Sequence, residues 1–159
     1  MASSKDKKNK NQSITIDNRK ARFDYHIFDS VTCGIVLTGT EVKSIRSGKA
    51  QLKDSFARIE KGEVWLYNCN ISPYQFGNRF NHTPLRKRKL LLQGKEILKL
   101  HGKMKEKNLV LVPLKIYFSK NWAKVELALA KSKKMYDKRD AIKNRELQRT
   151  IKEVKSKYR

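Results

Sequence analysis

The chain has 159 residues, with 38 Lys and Arg against 15 Asp and Glu and a formal net charge of +23. That length suits one domain with tails, and it excludes two large domains closing around a deep catalytic cleft. So much positive charge repels itself and opposes folding. A nucleic acid is the polyanion that fits a small basic domain, since solubility alone needs far less charge.

Residues 1–13, MASSKDKKNKNQS, have almost nothing to bury and read as a disordered basic N-terminus. They carry no apolar signal region, and no stretch of the chain approaches the ~20 apolar residues that span a bilayer. A cytoplasmic protein without a membrane partner is the expectation. Cys33 and Cys69 lack a C-x-x-C spacing and a neighbouring His cluster. They read as reduced thiols in or near the core, with no metal site.

Residues 14–130 hold nearly all the large apolar side chains and read as strands. Tyr25, Ile27 and Phe28 form a short run. Gly34 opens GIVLTGTEVKSIR, a β-branched run that reads as strand, with Gly39 marking a bulge or a close backbone approach. Phe56 to Ile59 and Val64 to Ile71 flank a hairpin turn at Glu60-Lys61-Gly62-Glu63. Leu90 to Met104 has a helical apolar spacing at Leu90, Ile97, Leu98, Leu100 and Met104, with Gly94 as a weak point. Asn108 to Phe118 and Trp122 to Ala130 form a second hairpin around Ser119-Lys120-Asn121. Val125, Leu127 and Leu129 alternate with Lys124, Glu126 and Ala128, which places the first set in a core and the second in solvent. Short antiparallel strands with a capping helix predict a mainly β fold, an OB-like closed antiparallel β-barrel with short helices.

Residues 131–159 form a basic C-terminal tail with twelve Lys or Arg against four Asp or Glu. Leu147, Ile151, Val154 and Tyr158 share one narrow helical face. The segment is too polar to fold alone, so it is expected to be disordered when free and helical on a partner.

Catalysis has no visible basis. His26, His82 and His101 are scattered, and neither a phosphate-binding glycine loop nor a metal-ligand spacing occurs. No enzyme, cofactor or small-molecule substrate is expected. The cationic blocks are better candidates. Arg86 to Lys89 form one, and Lys131, Lys133, Lys134, Lys138 and Arg139 form another, each suited to neutralising phosphates. In the loop-like PYQFGNRF, Tyr74 to Phe80, an aromatic ring has room to meet a flipped base.

Several strings resemble the small protein B family in order and spacing. They are Asn18-Arg-Lys-Ala21, Gly34-Ile-Val-Leu-Thr-Gly-Thr-Glu-Val-Lys-Ser-Ile-Arg46, Asn70-Ile-Ser-Pro-Tyr74, His82-Thr-Pro84 and Arg88-Lys-Leu-Leu-Leu92. Lys124-Val-Glu126, Ala130-Lys-Ser-Lys-Lys134 and Tyr136-Asp-Lys-Arg139 complete the match. The resemblance implies an OB-type barrel whose partner is the tRNA-like domain of transfer-messenger RNA, delivered to stalled ribosomes for trans-translation. It implies RNA contacts from Asn18, Arg19, Glu41, Lys43, Arg46, Lys124, Lys131, Lys133 and Lys134. It also implies a tail that becomes helical in the mRNA channel from about Asp140. There Asp137, Lys138 and Arg139 meet ribosomal RNA near the decoding site, and Leu147 and Ile151 meet the channel wall. Three positions depart from the family: Thr32 stands where a glutamate is usual, Ser132 where a glycine is usual, and Leu147 where a tryptophan is frequent. A structural ribosomal protein with an OB-like core is the alternative reading, and a membrane-surface protein a more distant one.

Overall fold

The computed structural model describes residues 14–77 and 80–157; the N-terminal stretch read as disordered, Asn78, Arg79 and Tyr158 lie outside them. In chain order the elements are β1 (Thr15–Asp17), α1 (Arg19–Asp24), β2 (Tyr25–Ile35), α2 (Gly39–Arg46), β3 (Ala50–Gln51), β4 (Phe56–Glu60) and β5 (Glu63–Tyr67). Then follow β6 (Asn70–Ile71), β7 (Arg88–Leu91), α3 (Gly94–Lys107), β8 (Val110–Ser119), β9 (Trp122–Ser132) and α4 (Met135–Lys157). The fold is mainly β. One large antiparallel sheet has the order β1-β8-β4-β5-β7-β2-β9, β8 also pairs with β9, and β3 pairs with β6 in a small second sheet.

Both expected hairpins form. Lys61 and Gly62 have φ of 49° and 75°, and Lys120 and Asn121 have φ of 48° and 68°. Two successive left-handed residues make the turn whose twist matches that of the flanking strands. Val125, Leu127 and Leu129 point into the main core beside Leu66, Leu90 and Leu111. The opposite face differs from the expectation at Ala128, which is buried rather than solvated. Ala128 and Ala130 pack with Val112, Leu114 and Ala21 of α1. The small side chains of Ala128 and Ala130 leave room on this face for Ala21 of α1.

GTEVKSIR is a helix, α2, and not part of a strand. Thr38-x-x-Glu41 is a capping box: the Glu41 carboxylate accepts from the Thr38 backbone N–H at 2.8 Å. That pairing outweighs the β-branched composition. Gly39 therefore marks neither a bulge nor a close approach; a Cβ there would meet nothing within 4 Å. The close approach is at Gly34, where a Cβ would sit 3.3 Å from the Leu91 side chain. The bulge in β2 falls between Ile27 and Asp29. The capping helix begins at Gly94 with Glu96 accepting from Gln93 N–H at 2.9 Å, so Gly94 opens it rather than splitting it. Leu90 belongs to β7, and Leu98 faces solvent. Ser132 pairs with Tyr25 at the end of β9, so the serine sits in extended backbone and needs no left-handed turn.

Candidate nucleic-acid interface

Asn18 is buried and used internally. Its Nδ2 donates to the carbonyls of Leu52 at 3.0 Å and Pro113 at 2.9 Å, and its Oδ1 accepts from Ala21 N–H. It therefore stitches the start of α1 to the sheet, and Arg19 beside it is exposed.

Glu41 is also inside, fully buried with Arg88. Its carboxylate accepts from Arg86 Nη2 at 2.7 Å, from Arg86 Nε at 2.8 Å and from Arg88 Nε at 2.8 Å. Arg88 further donates to the carbonyls of Cys69, Arg86 and Pro84. Burial alone would raise the Glu41 pKa. The Arg86 hydrogen bonds, the Thr38 N–H and the Arg88 charge overcome it and hold the carboxyl below its ordinary value. The network ties α2 to both ends of the 72–87 loop. Around the same loop His82 Nε2 donates to Ile71 O at 2.8 Å, leaving Nδ1 to accept from the Thr40 hydroxyl at 2.8 Å.

In the Arg86 to Lys89 block each cation has a carboxylate near it, and Arg88 alone is buried. Arg86 and Arg88 serve Glu41, Lys87 lies 3.7 Å from Glu60, and Lys89 lies 2.6 Å from Glu63. The strand alternation turns Arg88 inward, and carboxylates from α2, β4 and β5 meet the four cations.

The remaining predicted cations occupy three places. Lys43 and Arg46 project from α2, Lys43 at 5.3 Å from the Tyr74 ring and Arg46 at 5.1 Å from that of Phe118. Lys124 lines an open cleft with Thr32, Gly34, Leu91 and Glu96. Thr32 sits on this rim beside Gly34. Lys131 and Lys134 are exposed where β9 ends, and Lys133 lines a second cleft with Arg19. The loop rings add an outward surface: Phe76 is 78% and Phe80 87% exposed, and Tyr74 meets Phe76 edge-on at 5.7 Å.

The tail is a helix from Met135, five residues before Asp140. Its first turns have partners on the body. Lys138 pairs with Asp24 at 3.2 Å, Asp137 lies 3.5 Å from His26, and Arg145 stands over the Phe23 ring at 5.9 Å. Arg139 is exposed, as are Leu147 and Ile151. Beyond Arg145 the described residues of the helix are exposed throughout.

Among the described residues no group of three or more His, Cys, Asp or Glu is placed to hold a metal ion, and no helix is long and apolar enough to cross a membrane. The roles of Asn18, Glu41 and Arg88 as internal struts were missed from sequence. For Glu41 a signal exists in the capping-box spacing; for Arg88 the pairing is across 47 positions and has none.

Comparison with known proteins gives a consistent answer. The family model described as SmpB protein matches residues 15–157. An SsrA-binding protein of Carboxydothermus hydrogenoformans is 57% identical over 148 residues, 92% of this chain and 99% of that protein. An SsrA-binding protein of Desulforudis audaxviator is 61% identical over 140 residues, 88% of this chain and 92% of that protein. A solved structure described as "tmRNA-SmpB: a journey to the center of the bacterial ribosome" superposes with a TM-score of 0.66 at 48% identity, covering 82% of this chain and 95% of that one. With the family model matching residues 15–157 and these relatives 57% and 61% identical over most of their length, the chain belongs to the SmpB protein family.

Proposed function

We propose that this chain binds the tRNA-like domain of transfer-messenger RNA and delivers it to stalled ribosomes for trans-translation. The observation that carries this reading is the match, at 48% identity over most of both chains, to a protein described with transfer-messenger RNA in the bacterial ribosome. The net charge of +23 suits both RNA partners.

In this reading Arg19, Lys43, Arg46, Lys124, Lys131, Lys133 and Lys134 contact RNA. Asn18 and Glu41 act from inside by fixing α1 and α2. The tail, residues 131–159, works on the ribosome: Asp137, Lys138 and Arg139 near the decoding site, Leu147 and Ile151 against the wall of the mRNA channel. The body, residues 14–130, is a closed OB-like barrel. Support comes from pairings that return on themselves, since β8 joins both β4 and β9. No catalytic step is required of the chain, and its place of work is the cytoplasm, where ribosomes are.

Sequencing of RNA crosslinked to the protein in cells tests the proposal. One dominant RNA with a tRNA-like end is expected. Reads spread over ribosomal RNA in proportion to all ribosomes would instead support a structural ribosomal protein.

A further inference from the structure

An open cleft of about 720 Å³ lies between α1 and α4. Arg19, Arg22 and Phe23 line it from α1, Lys133 from the joint after β9, and Arg145 and Arg149 from α4. No carboxylate lines it among the described residues. Lys20 also reaches the cleft, but its ammonium is held by Asp54 at 2.7 Å. The neighbouring acid Asp24 is taken by Lys138 at 3.2 Å, and Asp17 stands 3.9 Å from Arg22.

The two walls are built by helical spacing. Arg19, Arg22 and Phe23 fall on one turn-to-turn face of α1. Ala141, Arg145 and Arg149 follow at four-residue steps on α4, so they form one ridge. Ala141 is small and lets the helices approach. Arg145 over the Phe23 ring then sets the depth of the cleft. The joint is held by Lys133 N–H donating to the Asp24 carbonyl at 2.8 Å.

Four arginines and a lysine therefore line one cleft. Their repulsion is relieved by an anion between them. Guanidinium forks suit phosphate oxygens more closely than a point charge does. We propose that the α1–α4 cleft is a phosphate site for an RNA backbone, shared by body and tail, so that one RNA strand ties α4 to the body. The proposal rests on the RNA-binding reading above and adds a site to it. Leu147 lies two residues past Arg145, about 200° around the helix. The apolar ridge that it begins, with Ile151 and Val154, therefore stays outward while the cleft is filled.

The test uses the full chain with Arg145→Gln/Arg149→Gln, and as control Lys152→Gln/Lys155→Gln. The control removes the same charge from the same helix outside the cleft. Each is titrated over a salt series against the labelled tRNA-like domain of transfer-messenger RNA and, separately, against purified ribosomes. Far-UV circular dichroism checks that the fold is kept, and Arg19→Gln probes the opposite wall without touching α4. The cleft variants should lower the salt slope by about 0.7–0.9 for each lost phosphate contact, and the control should lower it less. A fall with the tRNA-like domain assigns the phosphate to transfer-messenger RNA; a fall with ribosomes only assigns it to ribosomal RNA. Equal losses in cleft and control variants, or unchanged slopes in the cleft variants while wild type binds RNA, would overturn the site. Failure of wild type to bind either RNA would overturn the RNA-binding reading along with it.

Discussion

β9 and α4 adjoin in the chain and are held in place by different physics. In β9, Val125, Leu127, Ala128, Leu129 and Ala130 are each no more than 1% exposed. In the 23 residues of α4 none is buried. The strand is fixed by apolar surface removed from water, an energy that the molecule supplies to itself. The helix is placed by the Lys138–Asp24 ion pair, the approach of Asp137 to His26 and one ring contact near its start, each modest in water. Its apolar ridge faces outward, with Leu147 60% exposed. The difference separates a region that stores stability from one that waits for a partner.

The largest effect should come from charging the strand. Leu127→Asp places an unpaired carboxylate in the core beside Leu66 and Leu111 and should remove several kcal/mol, enough to unfold the body. Loss of the cooperative thermal transition is expected, and a folded Leu127→Asp protein would show that β9 is not the centre of the core. Next is the buried network. Glu41→Ala leaves Arg86 and Arg88 uncompensated and should destabilise by about 3–5 kcal/mol in urea titrations.

The same network predicts an acid dependence. Glu41 titrates below its ordinary value in the folded chain, so its stabilisation is complete above the unfolded value of about 4.3 and is lost as pH falls through the lower folded value. Urea midpoints of Glu41→Gln should fall less steeply than wild type below about pH 4. Parallel curves would remove Glu41 from the account.

On the helix the same kind of substitution should leave stability alone. Leu147→Glu/Ile151→Glu should change the unfolding free energy of the body little, within about 0.5 kcal/mol, while tagging of stalled nascent chains falls sharply. A large loss of body stability would erase the contrast between the two regions. The smallest effect concerns the thiols. Burial pushes Cys69 to about 11 and Cys33 to about 12, so neither should be alkylated at pH 8 until the body unfolds. Rapid labelling of native protein would mean that the core opens around them.

The strands were legible in the sequence where alternation and turn chemistry agreed, as at Val125 to Leu129 and at Lys61-Gly62. α2 was not legible by composition, because Val42 and Ile45 within it and Ile35, Val36 and Thr38 before it favour strand; its one local signal is the Thr38-x-x-Glu41 cap. Arg88 was hidden differently. Within Arg86 to Lys89 it looks like one more surface charge, and only a carboxylate 47 positions earlier takes it inside. Of the candidate site, Lys43, Arg46, Lys131 and Lys134 lie outward as expected. Asn18 and Glu41 do not, since an RNA-facing role and an internal strut use the same polar residue types. The cleft between α1 and α4 depends on two segments meeting across more than a hundred residues, which no local pattern carries.

The division between body and tail is tested most directly by truncation after Ser132, with gel-shift of the tRNA-like domain of transfer-messenger RNA measured beside tagging of stalled nascent chains. The account predicts a folded protein that keeps most of its RNA binding and loses productive tagging. A folded, truncated protein that no longer binds the tRNA-like domain, or one that still tags, would contradict it.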